Sequence, residues 1–411
     1  MPCFKPGPKG GLKSRHHHLR PRIFLATMLG VFLFGRVEAR PPVAAKLQPF
    51  VDRHQIAGAV TLIGTKDGVL GVETIGAADL GTGRPMRPDT VFWIASMTKS
   101  VTGTALMMLV DEGRVNVDDP VEKYLPEFKG LMVEVEHDGN HVLLRRPAHP
   151  LTIRTLLTHT GGLTPHTPQE PRLDVLPLRE NVLVYPLLPL RFEPGARYEY
   201  SNAGINTVGR IIEVVSGLSF DEFLRQRLFD PLGMKDTTFW PNADQLKRLA
   251  KAYRPDAAMK QLEEIPIDQL TEPLSNRTRG VSPAGGLFST APDLYRLGRM
   301  ILNGGTYGGR RYLSAQSVAQ MTSNQIGDLP IGPDHNYGYG FGWIVHRGHP
   351  AGDPTGPGTF GAGGAYNTQM GLDPAHNLVS VLLVQQAGFP ESIRQELRAT
   401  FTQAAEDAIR R

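Results

Sequence analysis

Phe92-Trp93-Ile94-Ala95-Ser96-Met97-Thr98-Lys99-Ser100 is where an apolar run passes into a helical pattern. From Ser96 to Glu112 the apolar residues Val101, Ala105, Leu106, Met108 and Leu109 recur at helical spacing, and Gly113 closes the segment as a C-cap. A helix sets positions i and i+3 on one face, so the Ser96 hydroxyl and the Lys99 amine stand side by side. A neutral amine in that position can take the hydroxyl proton and leave a nucleophile. A Ser-x-x-Lys tetrad also arises by chance roughly once in a few hundred residues. Its meaning therefore depends on what surrounds it.

Upstream, Pro41–Gln55 reads as an opening helix, and Ala59–Gly64 and Val69–Ile75 as two strands around a Lys66-Asp67-Gly68 turn. Downstream, strands are predicted at 342–346, 368–372 and 378–384, with a last amphipathic helix over Ser392–Ile409. Helices crowd the middle at 152–157, 202–216, 219–229 and 293–302, a small hairpin is expected around Asp138-Gly139, and the proline-rich stretch 164–192 reads as a wrapped loop. A lone hairpin is marginal in water, so the first strands need the last ones as partners. The expected fold class is α+β. One antiparallel sheet forms from both ends of the chain (about 40–90 and 290–411), is flanked by helices, and carries a mainly helical region (about 91–289) inserted between.

The chain has 411 residues, 40% of them hydrophobic and 20% charged, which suits a globular protein with a sizeable core. A basic leader precedes the apolar run Ile23–Gly35, and Val37-Glu38-Ala39 offers small residues for cleavage after Ala39. Residues 1–39 are thus expected to be a signal peptide. The product is exported to the periplasm or the medium, touching membrane only through an uncleaved leader. Residues 1–40 carry a net +7 against +4 for the whole chain, so the remainder is slightly acidic, and nucleic acid is not an expected partner. Cys3 is the only cysteine and lies in the leader, which excludes disulfides and thiol chemistry from the rest.

Two further stretches can carry chemistry. Tyr200-Ser201-Asn202 presents a phenol and an amide to one side. The phenol can relay a proton where lysine charge lowers its pKa. Asn202 also stands where a helix N-cap is expected. Gly361-Ala362-Gly363-Gly364-Ala365 precedes a strand, where glycines permit close backbone approach and a free N–H can face an oxyanion. Gly356–Gly361 imitates a dinucleotide-binding pattern, but it follows no clear strand and opens no helix. His159 and His166 have no further ligands at metal-site spacing, so no metal and no cofactor are expected.

Together with Leu156-Leu157-Thr158-His159-Thr160-Gly161-Gly162-Leu163, Phe192-Glu193-Pro194-Gly195, Pro231-Leu232-Gly233-Met234 and Pro283-Ala284-Gly285-Gly286-Leu287, these stretches follow one another in a familiar order. Over roughly residues 45–390 the chain resembles the serine β-lactamase and penicillin-binding-protein superfamily, most of all its class C β-lactamase and esterase branch. The resemblance implies a β-lactamase/transpeptidase-like fold and a role for each site residue. Ser96 would be acylated, with Lys99 taking its proton and Tyr200 shuttling protons to the leaving group. Asn202 would hold substrate and lysine, the segment Ala362, Gly363 and Gly364 would line the substrate, and the N–H groups of Ser96 and Ala365 would form the oxyanion hole. One departure stands out. The third motif of the family opens with Lys or His, and here that residue is Ala362. A lost charge-assisted hydrogen bond costs about 1–3 kcal/mol, which disfavours substrates gripped by a carboxylate. The expectation is an exported serine hydrolase acting on small-molecule esters or amides. A β-lactamase or D-alanyl-D-alanine carboxypeptidase, and a non-catalytic binding or sensor domain on the same scaffold, are the alternatives.

Overall fold

In the computed structural model, residues 42–410 are described, apart from 166–170, 257, 259, 333–334 and 349–354. The leader and His166 lie outside the described residues. Eight strands make the main sheet: β1 (Gly58–Thr65), β2 (Val69–Asp79), β3 (Arg84–Pro85), β4 (Tyr337–Tyr339), β5 (Ile344–His346), β6 (Phe360–Gly363), β7 (Gln369–Asp373) and β8 (Leu378–Leu383). Their order is β4-β5-β6-β7-β8-β1-β2-β3, with antiparallel neighbours throughout. The two ends of the chain meet where β1 pairs with β8, Val60 facing Leu383 and Thr65 facing Leu378.

Side-chain alternation explains why these two strands are apolar on both faces. Ala59, Ile63, Leu378 and Leu382 point to one side, where α1 (Val43–Asp52) and the terminal helix cover them with Leu47, Phe50, Leu397 and Phe401. Val60, Leu62, Val379 and Val381 point to the other, against a large core that includes Met97, Val101 and Leu106 of the Ser96 region. That core also takes in α2 (Thr98–Asp111), α3 (Asn202–Ser216) and α4 (Ala291–Leu302). Each fully buried Phe or Leu in these layers contributes about 1.5–3 kcal/mol. The terminal helix is α5 (Glu391–Ile409).

Two segments depart from the sequence reading. The glycine stretch before the strand at 369 is itself β6, because pairing of Ala362 with Met370 and Gly363 with Gln369 supplies the order that glycines do not. The proline-rich stretch contains a helix, Leu178–Leu183. Leu178, Val182 and Tyr185 fall on one buried stripe between Pro177 and Pro186, so the prolines bracket a helix and do not prevent one. Residues 41–411 cluster as one compact unit. No helix among the described residues is long and apolar enough to cross a membrane.

Candidate active site

Ser96 lies in a single 3-10 turn, Ala95–Met97, that leads directly into α2. Ala95, just before it, has φ +45°, a left-handed value that costs a non-glycine residue about 1–3 kcal/mol. Packing over-determines that conformation. Ile94 N–H donates to Leu287 O at 3.0 Å, Thr98 Oγ donates to Ala95 O at 2.6 Å, and Leu287 N–H donates to Thr98 Oγ at 3.2 Å. The Pro283–Leu287 segment therefore runs beside the start of α2 and clamps it.

Lys99 is fully buried within that clamp. Its Nζ lies 3.1 Å from Ser96 Oγ, 2.8 Å from Asn202 Oδ1 and 2.6 Å from Ala284 O. No carboxylate answers it among the described residues. Burial with only neutral oxygens around it pulls the amine down to about 7. A neutral amine is therefore within reach near neutral pH, which is what a base for Ser96 needs. Ala284 is held in turn: its N–H donates to Asn206 Oδ1 at 3.1 Å, and Asn206 Nδ2 donates to the Tyr185 hydroxyl at 3.1 Å.

Tyr200 stands over the amine, with Lys99 Nζ 4.6 Å from its ring centroid. Tyr200 as a whole residue is 41% exposed. Burial of the phenol pushes it up to about 12, with the neighbouring Ser96 side chain drawing it back only slightly. This corrects the expectation of a lowered phenol pKa: burial of the phenol outweighs the lowering by the Ser96 side chain. Tyr200 therefore holds its proton and is equipped to donate it. Asn202 is not the helix cap. Ser201 caps α3, its side chain accepting from Gly204 N–H, and Asn202 is the first helical residue, free to turn its amide oxygen to Lys99.

His159, weighed in the sequence only as a metal ligand, stands beside the site. Its Nδ1 accepts from Ser201 N–H at 3.2 Å, so the neutral ring carries its proton on Nε2, 3.1 Å from the Tyr339 hydroxyl. Burial first, and the Lys99 charge second, hold it well below the usual histidine range. The ring lies 4.4 Å from that of Tyr200, with Tyr339 behind it at 4.8 Å. His159 thus fixes the turn that presents Tyr200 and Asn202 without adding a second cation beside Lys99. The available signal in the sequence was a histidine inside the Leu156–Leu163 stretch; its left-handed φ of +60° is visible only in the structure.

The end of β6 abuts the Ser96 turn. A Cβ on Gly364 would sit 2.4 Å from Ile94 O, so only glycine lets the two backbones pass. Ala365 follows, exposed, and neither its N–H nor that of Ser96 donates to an acceptor among the described residues. Ala362 packs its methyl into the core, 8% exposed. On the opposite face, Arg398 of α5 comes to 3.6 Å from where a Gly363 Cβ would be. Its guanidinium makes no ion pair among the described residues.

Comparison with known proteins agrees with this picture. Protein Rv1367c of Mycobacterium tuberculosis is 33% identical over 83% of this chain and 88% of its own length. Penicillin-binding protein 4 of Amycolatopsis lactamdurans is 31% identical over 80% of this chain and 81% of its own. Among solved structures, EstCE1, a hydrolase with promiscuous acyltransferase activity, superposes with a TM-score of 0.74 at 25% identity, covering 88% of this chain and 97% of that one. The Beta-lactamase family profile matches residues 43–404, and the chain belongs to that family of hydrolases.

Proposed function

We propose that this protein is a serine hydrolase that cleaves small ester or amide substrates through an acyl-enzyme. The observation that carries the reading is a buried amine with no counter-ion among the described residues, 3.1 Å from the Ser96 hydroxyl. In the first half-reaction Ser96 Oγ attacks the carbonyl carbon and its proton passes to Lys99. The carbonyl oxygen becomes an oxyanion facing the N–H groups of Ser96 and Ala365. The leaving alcohol or amine departs with a proton from Tyr200 or Lys99, which act as a coupled pair. Water then attacks the acyl-Ser96 carbonyl and gives a proton to the same pair, the bond to Ser96 Oγ breaks, the pair returns the proton to Oγ, and the acid is released. The basic, apolar leader supports export of the protein.

A second reading concerns the acyl partner. Loss of the family cation at Ala362 favours uncharged substrates, whereas Arg398 beside Gly363, without an ion pair among the described residues, favours a carboxylate-bearing one, as the name of the Amycolatopsis relative suggests. A fluorophosphonate probe followed by mass spectrometry should place one adduct on Ser96. A parent panel of p-nitrophenyl esters, nitrocefin and D-amino-acid amides separates the substrate classes. Full hydrolysis by Ser96→Ala would end the proposal.

A further inference from the structure

Three ligand-type side chains meet at the end of β7 remote from the catalytic turn. Gly363 pairs with Gln369, whereas Asp373 is the last residue of the same strand, about 13 Å further along at strand spacing. His376 follows in the turn to β8, and Glu406 comes from the last turns of α5. His376 Nδ1 lies 2.8 Å from Asp373 Oδ2 and 3.6 Å from Glu406 Oε2. The three ligand atoms all fall within 4.8 Å of one another.

Glu406 is the informative member. It is 1% exposed, and no hydrogen bond reaches either of its carboxylate oxygens among the described residues. An ionised carboxylate held that way costs several kcal/mol unless a positive group completes it. Burial first, and the Asp373 carboxylate beside it second, push Glu406 above the usual carboxylate range, while His376 and Arg410 pull it back. Asp373 is already oriented, since its Oδ1 accepts from the N–H groups of Ala375 and His376 at 2.8 and 3.1 Å. That leaves Oδ2 turned towards His376, which is the arrangement of a ligand with its supporting hydrogen bonds in place.

The geometry points to a binding site for one divalent ion of the Zn²⁺ type, held by Asp373, His376 and Glu406 and reached from solvent past the half-exposed imidazole. Four ligands at about 2.0–2.2 Å around Zn²⁺ stand about 3.4 Å apart, and the separations of 2.8 and 3.6 Å bracket that value. One imidazole with two carboxylates suits Zn²⁺ better than Mg²⁺. The ion would replace the proton between His376 and Asp373, with water as the fourth ligand. Such an ion fastens the β7–β8 turn to α5. The expectation of no metal rested on spacing along the sequence, which cannot reveal a third ligand brought in by the terminal helix.

The test is calorimetric titration of the chelator-treated full chain with Zn²⁺, beside His376→Ala and Glu406→Gln. Each variant should bind one equivalent fewer than the parent, so that Zn²⁺ held by the His16-His17-His18 run cancels in the difference. At about 100 times Kd, Zn²⁺ should raise the unfolding temperature of the parent by roughly 3 °C and leave the variants unmoved. Ester hydrolysis should be the same in parent and His376→Ala. Equal stoichiometry in parent and His376→Ala, or equal binding of Mg²⁺, overturns the proposal. His376 is half exposed, so its replacement decides the matter even where Glu406→Gln folds poorly.

Discussion

Lys99 and Arg279 are both buried cations, 1% and 5% exposed, and the fold treats them in opposite ways. Arg279 has an anion: its Nη1 is paired with the buried Asp174 carboxylate, and its Nη2 donates to the carbonyls of Phe239 and Leu274, each at 2.7 Å. Asp174 accepts further bonds from Thr271, N–H at 3.0 Å and hydroxyl at 2.8 Å. Lys99 has three neutral oxygens and, among the described residues, no anion. A guanidinium cannot give up its proton in a protein, so burying one requires a carboxylate. An amine can give it up, so burying one without a carboxylate makes a base. The difference separates a charge that holds structure from one that can do chemistry.

The largest effect should come from erasing that difference at the site. Lys99→Arg keeps a cation beside Ser96 but removes the base, and kcat/KM for an activated ester should fall roughly 10³–10⁴-fold. In the parent, kcat/KM should climb as pH passes about 7, where Lys99 loses its proton, and should show no descending limb before Tyr200 begins to ionise far above neutrality. A profile flat from pH 5 to 9, or an active Lys99→Arg, would remove the distinction.

The reciprocal change acts on stability. Arg279→Met leaves Asp174 buried and unpaired and should cost about 3–5 kcal/mol in urea unfolding, whereas Arg279→Met with Asp174→Leu should recover most of it. The cost of the single change should persist across neutral pH. Tyr200→Phe sharpens the site side of the comparison: removing the proton donor should lower kcat roughly 10²–10³-fold, with Ser96 still labelled by a fluorophosphonate. Loss of labelling together with turnover would instead make Tyr200 part of the acylating base.

Much of this was legible in the sequence where a short pattern carries the chemistry. Ser96 and Lys99 are one helical turn apart and Tyr200 and Asn202 share one turn, but that the two turns belong to one site was implied only by the family resemblance. The strand runs near both ends of the chain likewise announced one antiparallel sheet shared by the first and last strands. What the sequence hid depends on tertiary placement. Nothing local says that Ala284 O receives Lys99, that His159 anchors Ser201, or that Arg398 reaches β6 from the far side of the sheet. β6 itself was hidden because glycines carry little strand propensity, and the pairing that orders them comes from Met370 and Gln369. The direction of the Tyr200 shift depended on burial, which composition does not report.

The smallest predicted effect is the most direct test of what Lys99 does to the fold. In the unfolded chain its amine titrates near 10.5, and in the folded protein near 7. Between those values the unfolded state binds the extra proton, so the parent should gain stability as pH rises through this window. Below about pH 7 both states are protonated, and the folded state bears the whole penalty of a buried ammonium. Lys99→Met removes the penalty but leaves Ala284 O and Asn202 Oδ1 without a donor, which offsets part of the gain. The net expectation is a variant more stable than the parent by about 1–3 kcal/mol at pH 6, and by clearly less at pH 9. Urea unfolding at the two pH values measures the gap, and the Arg279→Met deficit measured alongside should not change between them. A Lys99→Met advantage of equal size at both pH values would mean that the amine does not titrate in the folded protein, and the contrast between the two buried cations would fail with it.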